Sequence, residues 1–158
     1  MNKLILTCAV VLVLASCRPD DFGSVGDPKS VITGIDGNWQ IAKVEVVDQT
    51  VPGTVTEDFS AFYTNQPAPM QLEFSSANNT YVVNNSVPGN PFGEEGDYMF
   101  NDPEFPTQLY LLPVLSSDTL KLDLGNMVRS IDPFMTLVKP TIGCDKPFAL
   151  YNFTFKRN

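Results

Sequence analysis

The chain has 158 residues, a formal net charge of −8 and no histidine. That length suffices for one domain with its own core, and 43 % hydrophobic against 18 % charged residues is a globular composition. So acidic a surface repels phosphate backbones and argues against nucleic-acid binding, while the missing histidine removes every Ser-His-Asp, Cys-His and His-x-x-x-His arrangement.

Residues 1–16 have the form of an export signal. Lys3 supplies the positive charge, Leu4 to Leu14 form an apolar run too short to span a bilayer as a helix, and small residues follow. Leu14-Ala15-Ser16-Cys17 matches the lipobox of bacterial lipoproteins at every position, so the Cys17 thiol is expected to take the lipid and hold the protein to a membrane. Without the signal, 9 basic and 18 acidic residues remain, a charge of −9. Residues 17–31 contain Pro, Gly and Asp without periodicity and read as a flexible acidic tether. Asp20-Asp21 resembles the surface-export signals of Bacteroides-type lipoproteins, which places the expected address on the outer membrane, lipid-anchored and facing out.

From 32 to 158 the chain reads as a single domain of short strands. Trp39 to Asp48 is the first, and its apolar phase slips from Trp39 and Ile41 to Val44 and Val46, which predicts a bulge near Ala42-Lys43. Thr56 to Tyr63 is the one helical candidate: Thr56 can cap it, acids fill its first turn, and Phe59, Phe62 and Tyr63 share a face. Such a helix either lies over a barrel mouth or leaves Phe59 and Phe62 packed outside the sheet. Met70, Leu72 and Phe74 alternate with polar residues, and Thr80 to Asn84 returns to make a hairpin. Asn85 to Gly96 has Pro and Gly without apolar period and is predicted to be a mobile loop. Asp97 to Phe100 pairs with Thr107 to Leu112, and Thr119 to Leu124 follows with clean alternation. Met127 to Ile131 and Phe134 to Lys139 continue it across Asp132-Pro133. The last run, Pro147 to Lys156, puts Ala149, Tyr151, Phe153 and Phe155 on one face. This is an all-β pattern of about eight antiparallel strands, and pairing the first with the last leaves no open edge.

The Gly34-x-x-Gly37-Asn38-Trp39 opening, the series of short strands and the aromatic last strand ending in Lys156-Arg157 resemble lipocalin-like lipoprotein domains of Bacteroides-type bacteria. The resemblance implies an up-and-down barrel with Trp39 plugging one end, and Arg157 or Lys156 stacked on its indole. No long C-terminal helix or paired disulfide accompanies it.

A barrel of eight strands is either filled by its own side chains or holds one small ligand. Tyr81, Tyr98, Tyr110 and Tyr151 each fall on a strand, and with Trp39 they are the candidate ligand-binding residues; the alternative is that the phenols are core or exterior residues. Asp118-Thr119-Leu120 resembles a Bacteroides-type O-glycosylation acceptor, with Thr119 the attachment point, although so short a motif also arises by chance. Cys144 is left without a partner and is read either as inert, as partner-linked or as reactive. Carboxylates cluster in predicted loops at Glu94-Glu95-Gly96-Asp97 and Asp102-Pro103-Glu104, but no calcium-loop spacing occurs, and neither a metal nor a cofactor is expected. Two functions follow, neither enzymatic. One is binding of a small, partly apolar molecule in or at the mouth of the barrel; the other is a surface interaction protein whose loops meet a glycan or a protein while a filled barrel serves as scaffold.

Overall fold

In the computed structural model, which describes residues 34–51, 55–143 and 146–158, strand β1 (Gly37–Asp48) turns Trp39 and Ile41 inward and then, out of phase, Val44. Ala42 is the extra residue. Its neighbours Ile41 and Lys43 pair with Phe155 and Thr154, which are consecutive on β9 (Lys146–Arg157), so Ala42 has no partner and the strand bends where the sequence predicts.

The bend gives the two halves of β1 different neighbours on one edge. Gly37–Gln40 pairs with β3 (Gln71–Ser75), whereas Glu45–Asp48 pairs with β2 (Val55–Asp58). Between them the Val44 carbonyl accepts from the Phe59 amide at 2.8 Å, and its N–H donates to Ser60 Oγ at 3.0 Å. From β3 the chain meanders through β4 (Thr80–Asn84), β5 (Glu95–Phe100), β6 (Gln108–Pro113), β7 (Leu120–Leu124) and β8 (Phe134–Gly143) to β9, each antiparallel to the next. Strand β9 then pairs with β1 from Trp39↔Arg157 to Asp48↔Ala149. The result is an all-β, closed antiparallel up-and-down barrel of eight strands, flanked by β2 and one short helix, α1 (Ser60–Thr64).

Three stretches differ from their expected form. Thr56 to Asp58 is strand rather than helix, because the overhanging half of β1 has edge amides and carbonyls that only an extended neighbour can satisfy. The helix is left with five residues, and Asp58 Oδ1 accepts from the Ser60 amide at 2.8 Å at its start. Met127 to Ile131 is a connection rather than a strand. The Asn126 side chain takes over the ladder there, accepting from the Thr136 amide at 2.7 Å and donating to the Phe134 carbonyl at 3.1 Å. Asn85 to Gly96, expected to be a mobile loop, ends in the first two residues of β5, and its remainder is folded onto the barrel: Val87 and Phe92 are buried, and Asn90 bonds to Ser86, Phe92 and Gly93.

One end of the barrel carries residues 34–36, the connections 76–79, 101–107 and 125–133, and Trp39 as its floor. The other end, the mouth, carries α1, the 85–94 connection and the 114–119 connection. Two glycines shape the floor. Gly37 has φ of +106°, a conformation that side chains resist, and Gly34 lies so close to the 125–133 connection that a Cβ would collide with the Val128 carbonyl. The signal, Cys17, the 17–31 tether and Cys144 lie outside the described residues.

Candidate functional site

The interior is the first place to look for a site, and its floor is built around the one tryptophan. Trp39 is fully buried and its Nε1 donates to the Ile35 carbonyl at 2.7 Å. Arg157 lies over the indole with Cζ 4.2 Å from the ring centroid, donates through Nη1 to the Asp36 carbonyl at 2.8 Å and through Nη2 to the Gly34 carbonyl. Of the two basic residues the resemblance offers, Arg157 is the one that stacks. Lys156, its neighbour on the strand, is exposed. Asp36 also accepts from the amide and hydroxyl of Ser76, so the segment leading into β1, the end of β9 and the β3–β4 turn are joined under the floor.

Above the floor the space is taken by side chains. Leu72, Leu109, Leu111, Leu122, Met135, Leu137 and Phe155 are all fully buried. The mouth is closed from above by Phe92, whose ring packs edge-on against Phe153 at 4.9 Å and Phe155 at 5.9 Å with none of its surface exposed. Tyr81 holds it there, its hydroxyl donating to the Phe92 carbonyl at 2.6 Å. From α1, Tyr63 reaches in against Phe153 at 5.9 Å, while Phe62 on the same helix and Phe59 just before it stay exposed.

The expected ligand-binding residues therefore separate. Trp39, Tyr81 and Tyr98 are in the interior, Tyr151 is half-buried and stacks on Phe153 at 6.3 Å, and Tyr110 is on the outer face. Tyr110 alternates with the buried Leu109 and Leu111, lies under Lys121 at 5.9 Å, and donates to Gln108 Oε1 at 3.0 Å, so it does not belong with the other four. Burial pushes the Tyr81 phenol up to about 12, and pushes Tyr98 up to about 12 with the Asp36 carboxylate adding to the effect. Among the described residues the buried Tyr98 hydroxyl has no hydrogen-bond partner, its ring set edge-on to Phe74 at 5.2 Å and Phe100 at 6.0 Å. Tyr63 is raised as well, by burial first and by Tyr151 second. These are phenols held neutral in an apolar interior, where they fill space and orient neighbours.

Phe92 is the residue that sequence reasoning missed. Its signal was a lone large aromatic between Pro91 and Gly93 in a stretch otherwise suited to solvent.

At the mouth the surface is different in kind. A cleft of about 420 Å³ lies between the 85–94 and 114–119 connections, with Pro91, Pro113 and Leu115 as its apolar walls and Glu94, Glu95 and Asp118 as its charges. Thr119 lines the same cleft and is exposed. A second hollow of about 270 Å³ is bordered by Val55 and Phe148, both exposed. Among the described residues, no group of three or more His, Cys, Asp or Glu side chains is placed to hold a metal ion. No protein-family model matches the chain, and no curated protein does.

Proposed function

We propose that this chain is a non-enzymatic envelope lipoprotein, anchored through Cys17 to the outer membrane and facing outward. In this reading a filled, lipocalin-like barrel is the scaffold, and its mouth surface meets a protein or a glycan. The observation that supports it is Phe92. A loop aromatic with no exposed surface already occupies the place a barrel ligand would take. Meanwhile Phe59, Phe62, Val55, Phe148 and Leu115 remain exposed around the mouth, where an interaction surface is expected.

Native mass spectrometry of the purified protein, with binding of a hydrophobic dye alongside, tests this reading. An unliganded mass and no dye uptake by the interior support the scaffold; a co-purified apolar molecule released only on unfolding overturns it.

The cleft beside Leu115 favours a second reading, a small and partly apolar ligand held at the mouth rather than in the barrel. Its walls match such a molecule, and the three carboxylates favour one that carries positive charge. Replacement of Leu115 by Ser, which removes the apolar wall without adding charge, is expected to weaken that binding and leave the fold intact, because Leu115 is exposed. Thr119, on the rim of the same cleft, is the residue whose mass is expected to carry a glycan in protein taken from the native envelope.

A further inference from the structure

At the Trp39 end, the connection between β7 and β8 exposes residues that suit a turn poorly. Ile131 is 78 % exposed, Met127 57 %, and Phe134, the first residue of β8, 48 %. Turns facing water are ordinarily polar, and two large exposed apolar side chains on one connection with a third at the strand start beside it need a reason.

The connection is also fixed in place. Val128 is buried, and the Gly34 backbone lies directly against the Val128 carbonyl and the Arg129 Cα. The Arg129 backbone and guanidinium bond to Asp132 at 3.0 and 3.1 Å, which shapes the turn and neutralises its one acid. Lys156 stands across the ladder from Phe134 and is exposed. The loop thus presents apolar side chains with balanced charge and an exposed lysine beside them, on a chain whose net charge is −8. That combination suits zwitterionic lipid, with the side chains among the acyl carbons and the lysine at the phosphates.

What selects lipid over another partner is where the rest of the chain begins. Residues 1–33 lead into Gly34, against this same loop. Resting on the lipid-anchor reading, the bilayer lies no farther from Gly34 than the reach of residues 17 to 34, about 60 Å at full extension. The lipid is then the surface this loop meets at the highest local concentration. We propose that Met127, Ile131 and Phe134 dock the barrel, Trp39 end down, into the headgroup region of the bilayer. The mouth then points away from the membrane, toward whatever it meets.

The test uses full-length protein purified from membranes and reconstituted into phosphatidylcholine vesicles that contain a phosphatidylcholine with a photoactivatable diazirine on its acyl chain. After irradiation, peptide mass spectrometry locates the lipid adducts, and the mass of the N-terminal peptide reports acylation of Cys17. Adducts at Met127, Ile131 or Phe134, several times more abundant than at Phe59, Phe62 or Leu115, support the docking. The combined variant Met127→Ser, Ile131→Ser, Phe134→Ser is expected to reduce them to the level at those mouth residues with an unchanged circular dichroism spectrum. Adducts at the mouth residues instead, adducts confined to residues 18–33, or cross-links between two protein copies through this loop each overturn it. If Cys17 carries no lipid, the anchor reading fails on its own: adducts on the loop in vesicle-bound protein still uphold docking, and absence of vesicle binding overturns it.

Discussion

Arg157 concentrates more interactions than any other side chain at the barrel floor. It covers the indole of Trp39 and spans two backbone carbonyls of the segment that leads into β1. A guanidinium does both at once because it is flat and its donors lie in the plane of the fork, whereas an ammonium is a point charge on a flexible stem. Arg157→Ala is therefore expected to lower stability by about 3 kcal/mol in urea denaturation, because it removes charge-assisted hydrogen bonds and a partly desolvated cation–π interaction together. Arg157→Lys is expected to recover less than half of that. A decrease below about 1 kcal/mol for the alanine variant would mean that the floor is held by Trp39 packing alone.

The buried phenols set a limit at high pH. Tyr81 and Tyr98 titrate near 12 in the folded protein and near 10 when unfolded. Below pH 10 both states keep these protons and the two groups leave stability unchanged. As pH rises from 10 toward 12, the unfolded chain releases protons that the folded one retains, so stability falls by on the order of 2–3 kcal/mol per tyrosine. Urea midpoints measured at about pH 9 and about pH 11 are expected to show about half of this drop, roughly 1.3 kcal/mol per tyrosine, the rest developing as pH reaches 12. The drop should shrink in Tyr98→Phe, whose hydroxyl has no partner among the described residues, without the cost that Tyr81→Phe incurs by stranding the Phe92 carbonyl.

At the scale of elements, the ladder is uneven. Strands β8 and β9 share ten residue pairs, but β7 and β8 share two, Asp123↔Val138 and Leu124↔Leu137. The seam is lengthened by the Gly125 amide donating to the Thr136 carbonyl at 2.8 Å and by the side chain of Asn126. Asn126→Ala removes that side-chain splice. The expected result is a cost of about 1 kcal/mol and faster hydrogen exchange at the Thr136 amide, while β9 amides exchange as before. Equal acceleration across β9 would show that the seam opens only with the whole barrel.

The same elements show what could be read in advance. The bulge at Ala42 was legible because burial changes phase there, and a phase change has a single local cause. The pairing of Trp39's strand with the last strand was legible as the way to remove two edges. Strand β2 was not, since Thr56-Glu57-Asp58 fits a helix start by local chemistry and becomes strand only because a distant overhang offers it a ladder. Asn126 deceived for a related reason: its side chain imitates backbone, so Met127 to Ile131 turns where the apolar residues suggested continued strand. For Tyr110 the exterior alternative is the one the strand takes, and its alternation with Leu109 and Leu111 already pointed outward.

For the whole molecule, the decisive quantity is how much of the interior the chain fills by itself. Phe92 enters from a connection, so its removal leaves the strands intact and opens space between Phe153, Phe155 and Tyr81. Phe92→Ala is expected to cost about 3–5 kcal/mol, the sum of forfeited transfer energy and an unrelaxed cavity. A cavity lined by aromatic carbon stays dry and accepts a molecule of matching size. A ligand that binds only the folded state stabilises by RT ln(1 + [L]/Kd), so saturating benzene is expected to raise the melting temperature of Phe92→Ala and leave that of the unaltered protein where it was. If benzene raises both equally, the native barrel has room of its own, and the filled scaffold yields to an internal binding site. If it raises neither while Phe92→Ala is destabilised, the 85–94 connection has collapsed into the gap, and Phe92 acts as one wedge among several in a mouth that closes without it.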